Sequence, residues 1–176
     1  MIILIAGASH TGKTRLAQAL LERYHYPYLS IDHLKMGLIR SHQTDLTVYD
    51  DEKLTEYLWP IVREIIKTAI ENGQNLIVEG GYIPADWKAS FHADYLEQIK
   101  ASWLIMTERY IENHFDEILS HACDIERRVD DSCCTKEWLI EENRYQFEQC
   151  LRFGCKYILI DKNTRLESYY VLCNIL

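Results

Sequence analysis

A chain of 176 residues that is 48% hydrophobic and 26% charged has the size and composition of one globular domain with a sizeable core, not of a disordered chain. Its net charge of −8 argues against a nucleic-acid or anionic-membrane partner, though a local basic cleft could still hold phosphates. No apolar run reaches the roughly 18 residues of a membrane span, and no basic n-region precedes the first apolar run, so a cytoplasmic protein is expected.

Residues 1–6, a short apolar run rich in β-branched side chains, predict a buried strand. Gly7-Ala8-Ser9-His10-Thr11-Gly12-Lys13-Thr14 follows, and then Leu16, Ala17, Leu20, Leu21 and Tyr24 mark one face of an amphipathic helix. His25-Tyr26-Pro27 interrupts, residues 28–31 predict a second strand, and residues 34–39 a short helix carrying Lys35 and Arg40 at its ends. After a polar loop, Leu54, Tyr57, Leu58, Ile61, Val62, Ile65, Ile66, Ala69 and Ile70 keep a helical beat; Pro60 within it predicts a kink or a boundary. Residues 75–79 predict a third strand ending at Gly80-Gly81. Residues 84–99 then predict a helix with Trp87, Phe91, Tyr95 and Leu96 on one side, and residues 101–106 a fourth strand. A helix over 109–119 and a polar insertion at about 120–135 come next. A helix over 136–153 presenting Leu139, Ile140, Phe147 and Leu151, a fifth strand over 156–160 and a helix after Thr164 complete the order. Strands alternating with helices imply a parallel sheet covered on both faces in a single α/β domain.

The glycine-rich segment fits G-x-x-x-x-G-K-[ST] at every specified position, between a strand and a helix. Backbone N–H groups and the positive end of the helix then point into one concavity, an anion trap for a nucleoside triphosphate formed by Gly7, His10, Thr11, Gly12, Lys13 and Thr14. Lys13 would reach the β/γ-phosphates and the Thr14 hydroxyl would ligate Mg²⁺. In an open parallel sheet, ligands collect beyond the carboxyl ends of the strands, which selects Asp32, Glu79 with Gly80 and Gly81, Thr107 with Glu108, and Asp161. Glu79 suits the metal, through water. Asp32 suits a base or an acceptor-orienting group, and Lys35 and Arg40 could grip an anionic acceptor. The plainer alternatives are a helix cap for Asp32 and a satisfied strand-end carboxylate for Glu79. Arg127 and Arg128, in the polar insertion, are placed to close over the triphosphate as a lid unless they form only a solvated face.

Six cysteines occur, Cys123, Cys133, Cys134, Cys150, Cys155 and Cys173. His121 near Cys123 and the Cys133-Cys134 pair lack the C-x-x-C spacing of a zinc site, so reduced structural thiols are expected.

With these residues in view, the chain resembles the P-loop kinase superfamily of adenylate, shikimate and gluconate kinases. Residues 76–84 are similar to the strand-three segment of adenylate kinases, with Glu79 for the usual aspartate, one extra residue and no arginine after Pro84. Asp32 after strand two is more like the small-metabolite kinases and antibiotic phosphotransferases, in which an aspartate there faces the acceptor hydroxyl. The resemblance implies a three-layer P-loop NTPase fold with a five-stranded sheet in the order 2-3-1-4-5. It also implies a lid supplying arginines, which Arg127 and Arg128 match, and a loop after strand five, residues 161–164, lying against adenine. The expected activity is ATP- and Mg²⁺-dependent transfer of a phosphoryl group to a small metabolite. Two alternatives stand beside it: a nucleoside monophosphate acceptor, or a nucleotide-dependent switch without an acceptor. No N-K-x-D-type guanine-reading segment is present; Asp161-Lys162-Asn163 has the wrong order.

Overall fold

The computed structural model describes residues 1–121 and 134–161. Strand β1 (Ile2–Gly7) is buried at every residue, as a central strand between two layers must be. It pairs in parallel with β3 (Leu76–Glu79) on one side and β4 (Ile99–Met106) on the other. β2 (Tyr28–Ser30) and β5 (Tyr157–Ile160) complete the sheet, whose order β2-β3-β1-β4-β5 is the predicted one. Successive β1 side chains enter opposite cores. Ile2, Leu4 and Ala6 pack on the side of α3 (Asp51–Glu71) and the start of α2 (Ile31–Arg40). Ile3 and Ile5 pack with α1 (Lys13–Tyr24) and α5 (Glu108–Ser120). α6 (Lys136–Phe153) serves both, giving Leu139 to the second core and Cys150 to the first.

Register determines what meets at the sheet's carboxyl edge. Ile5 and Ser30 both pair with Glu79, so the ends of β1, β2 and β3 lie abreast and the three loops that follow them share one rim. Gly80 tightens that rim. A Cβ there would lie 2.9 Å from the Ile31 Cβ, so glycine lets the end of β3 press against the first turn of α2.

Four sequence expectations are corrected. Pro60 is not a boundary between two helices: α3 continues through it, with Leu54 and Leu58 before the proline and Val62 and Ile66 after it anchored in one core. Residues 84–99 are not one helix but a 3₁₀ turn, Trp87–Ser90, an extended Phe91 and a single turn, α4 (Ala93–Leu96). The apolar residues are those predicted, but they meet as an aromatic cluster. Phe91 lies edge-on to both Trp59 and Trp87, with ring centroids 6.1 Å apart in each pair, a geometry that a continuous helix would not present. β4 starts at Ile99, two residues before the prediction. On α6 the buried face is Leu139, Asn143 and Cys150, leaving Leu151 at 58% exposure. Among the described residues, no helix is long and apolar enough to cross a membrane.

Candidate active site

The loop between β1 and α1 is built by two glycines used for different reasons. At Gly7, with φ 135°, an added Cβ would fall 2.2 Å from the Leu104 carbonyl oxygen, so this glycine serves close packing against β4. Gly12 has φ 83° and open space around it, so it serves the turn into α1. His10 also takes a left-handed conformation, φ 60°. The Thr11 hydroxyl donates to the Ala8 carbonyl at 2.8 Å and the Lys13 ammonium donates to the same oxygen at 2.6 Å, closing the loop on itself.

Thr14, on the first turn of α1, donates its hydroxyl to Glu79 Oε2 at 3.4 Å, across 65 residues of sequence. Glu79 is 1% exposed. A hydroxyl and a buried carboxylate side by side at the mouth of a phosphate loop are the hard oxygen donors that Mg²⁺ takes from protein, the rest of its shell coming from phosphate and water. Among the described residues no three His, Cys, Asp or Glu side chains cluster as a metal cage.

Beyond β2, Asp32 is the second residue of α2, not its cap, which is Ser30. Its carboxylate accepts from the Lys35 ammonium at 2.5 Å, and Lys35 also donates to the Tyr82 hydroxyl at 3.0 Å. The Tyr82 hydroxyl in turn donates to Asp51 Oδ1 at 3.0 Å. Burial holds this phenol well above its ordinary range, helped by the charge of Asp51 and that of Asp32, by the hydrogen bond to Asp51, and by the charge of Glu142. Glu142, from α6, joins this group to the phosphate loop. Both of its carboxylate oxygens lie 3.1 Å from the Ser9 backbone N–H, which donates to them. Burial pushes its carboxyl up; Lys13 and the Ser9 N–H pull it down, and Asp51 adds to the upward push.

The predicted residues Lys13, Thr14, Asp32, Lys35, Glu79, Gly80 and the glycine-rich loop thus meet at one rim. Gly81 is exposed beside them. Arg40 is exposed at the far end of α2, about 12 Å along the helix from Asp32 at 1.5 Å per residue, so the fold does not bring it to the group. Arg127 and Arg128, with Cys123, Cys133 and Cys173, lie outside the described residues. Cys150 and Cys155 are buried free thiols, as expected, and burial pushes the Cys150 thiol up to about 12. A separate cavity of about 930 Å³ opens at the other end of the sheet, lined by Tyr24, Tyr26, Ile61, Ile65 and Leu76.

Sequence reasoning missed Asp51, Tyr82 and Glu142. For Asp51 nothing local distinguishes the residue from any acid in a helix's first turn. For Glu142 a signal did exist: Asn143, its neighbour, is a polar residue at the Leu139/Phe147 positions of an apolar stripe, and it is only 2% exposed. A buried asparagine on such a stripe marks a helix held by specific hydrogen bonds rather than by apolar packing alone.

This fold and this loop define a P-loop kinase. Residues 1–106 match the family of chloramphenicol phosphotransferase-like proteins, and the chain belongs to that family, among the P-loop small-molecule phosphotransferases. No curated protein matches the chain at a significant level. Solved structures share the fold at low identity. Shikimate kinase from Acinetobacter baumannii in complex with shikimate is 14% identical over 99% of this chain and 94% of that one, TM-score 0.57. Deoxyadenosine kinase from M. mycoides is 14% identical over 98% and 96%, TM-score 0.56. Shikimate kinase from Bacteroides thetaiotaomicron is 15% identical over 99% of both chains, TM-score 0.55.

Proposed function

We propose that this protein transfers the γ-phosphoryl group of ATP, as its Mg²⁺ complex, to a hydroxyl of a small metabolite. The observation that carries this reading is the single rim on which the phosphate loop and the Asp32–Lys35–Tyr82–Asp51 group meet, with Glu142 between them. A nucleotide pocket alone needs no carboxylate network beside it; a phosphoryl acceptor does.

The loop amides and Lys13, whose ammonium donates to the Ala8 carbonyl of the same loop, bind the β- and γ-phosphates. Thr14 and Glu79 would hold Mg²⁺, which would supply charge neutralisation on the phosphate oxygens. Asp32 orients the acceptor hydroxyl and takes its proton as the hydroxyl oxygen bonds to the γ-phosphorus. The bond from that phosphorus to the β–γ bridging oxygen breaks, and ADP leaves with the electron pair. Lys35, which also donates to the Tyr82 hydroxyl, fixes the Asp32 carboxylate in place. Arg127 and Arg128 close over the phosphates, and the protein works in the cytoplasm.

The test is Mg·ATP turnover by the purified protein against sugars, amino-alcohols, hydroxy acids and nucleoside monophosphates, with Lys13→Ala as control. Stimulation by one acceptor class, lost in the variant, is the expected result. Tight ATP binding without stimulation by any acceptor would sink the reading.

A further inference from the structure

Glu142 lies outside the residues that match the family, yet its carboxylate faces the phosphate loop. It is held there firmly. The adjacent Asn143 accepts the Met106 backbone N–H at 2.8 Å and donates to the Leu139 carbonyl at 2.8 Å, fixing α6 to the end of β4. Glu142 is half-buried, and the groups that now stabilise its charge are Lys13 and the Ser9 N–H. Both belong to the loop, and a bound triphosphate calls on both. When nucleotide enters with its Mg²⁺ on the Thr14/Glu79 side, the carboxylate loses these two partners, and a cation on the second substrate would replace them.

Among the described residues, the charged groups on the Tyr82 side of Glu142 do not supply that cation. Lys35 is engaged by Asp32 and Tyr82, and the other charged side chain at the Tyr82 hydroxyl is Asp51, a further carboxylate. Asp32, Asp51 and Glu142 all act on the same phenol, so the space around Tyr82 carries an excess of negative charge. An anionic acceptor such as a hydroxy acid or a phosphorylated metabolite would be repelled from it. A hydroxyl compound bearing a protonated amine would be drawn in and would satisfy Glu142 where the loop no longer does.

We infer that the acceptor is an amino-alcohol or amino sugar, charged at its amine, and that Glu142 is the residue that reads that charge. The inference rests on the phosphotransferase reading above. It is tested with the full chain and Mg·ATP on matched pairs that differ only in the amine charge: glucosamine against N-acetylglucosamine, and an amino-alcohol against its N-acetyl derivative, with a hydroxy acid as the anionic member. The expected result is a kcat/KM higher for each amine by about tenfold or more, the scale of a partly buried charge pair. Glu142→Gln should shrink that ratio to less than about threefold, chiefly through the KM of the amine. Asp51→Asn, which alters an exposed residue, should shrink it in the same direction and serves if Glu142→Gln does not fold.

Equal use of the paired acceptors, a preference for the anion, or an unchanged ratio in both variants would overturn the amine while phosphorylation itself stood. A Glu142→Gln variant that changed the Mg²⁺ requirement and not the ratio would also overturn it, assigning the carboxylate to a metal. ATP binding with no ADP formed from any member, charged or neutral, would instead remove the phosphotransferase reading and the inference with it.

Discussion

The Asn143 side-chain oxygen accepts the backbone N–H of Met106 at 2.8 Å, at the last residue of β4. This one bond ties α6 to the sheet at the residue next to Glu142, which is why a carboxylate from beyond position 140 sits over a loop that begins at Gly7. Asn143→Leu keeps the branched outline of the side chain and leaves the Met106 N–H buried without its side-chain acceptor. It should cost about 1–3 kcal/mol of stability, read from urea denaturation. An unchanged midpoint would mean that the helix is held by its apolar contacts alone.

Gly7→Ala should destabilise the protein severely. Its φ of 135° and the 2.2 Å approach of the new Cβ to the Leu104 carbonyl demand movement of β1 against β4, not of a flexible side chain. A loss of about 2–4 kcal/mol combines overpacking with backbone strain. Gly81→Ala is the control, since its Cβ would meet nothing within 4 Å, and its stability should stay within about 0.5 kcal/mol of the parent. Equal midpoints for the two variants would contradict the packing seen at Gly7.

Glu79→Gln keeps the shape of the side chain beside the Thr14 hydroxyl but removes its charge. The Mg²⁺ concentration needed for half-maximal turnover should rise by about 10–100-fold, the usual penalty for losing a residue that supports a bound metal. Titrating the metal at fixed ATP reads this directly, and chelation should abolish activity in both proteins. A variant with the parent's Mg²⁺ curve would remove Glu79 from the metal site.

The Glu142 carboxyl is raised above its ordinary value of 4.5, first by burial and then by Asp51, against Lys13 and the Ser9 N–H. In the window just above 4.5 the native state therefore holds a proton that the unfolded chain has released. That contribution to stability is complete below the unfolded value and is lost as pH rises through the native one. Glu142→Gln, which cannot titrate, should gain stability relative to the parent as pH climbs through that window, in paired denaturation curves. A constant difference between the two proteins from pH 4 to 8 would show that Glu142 titrates alike folded and unfolded.

Much of this protein is legible in its sequence. The strand, loop and helix around Gly7–Thr14 are local, set by a β-branched run, a fixed motif and a 3.6-residue apolar beat, and the alternation of strands and helices carries the parallel sheet with it. Strand-end positions likewise select Asp32 and Glu79, because parallel sheets gather ligands at one edge. What short-range pattern misjudged was also local: the aromatic residues at 87, 91 and 95 have helical spacing but pack by ring geometry, and Pro60 stays inside α3 because the core on both sides holds it. Only the tertiary structure joined Asp51, Tyr82 and Glu142 to the loop. Each is ordinary in its own segment, and each gains its character from charges brought near it by chain closure over 31 to 133 residues, a term that no window of sequence contains.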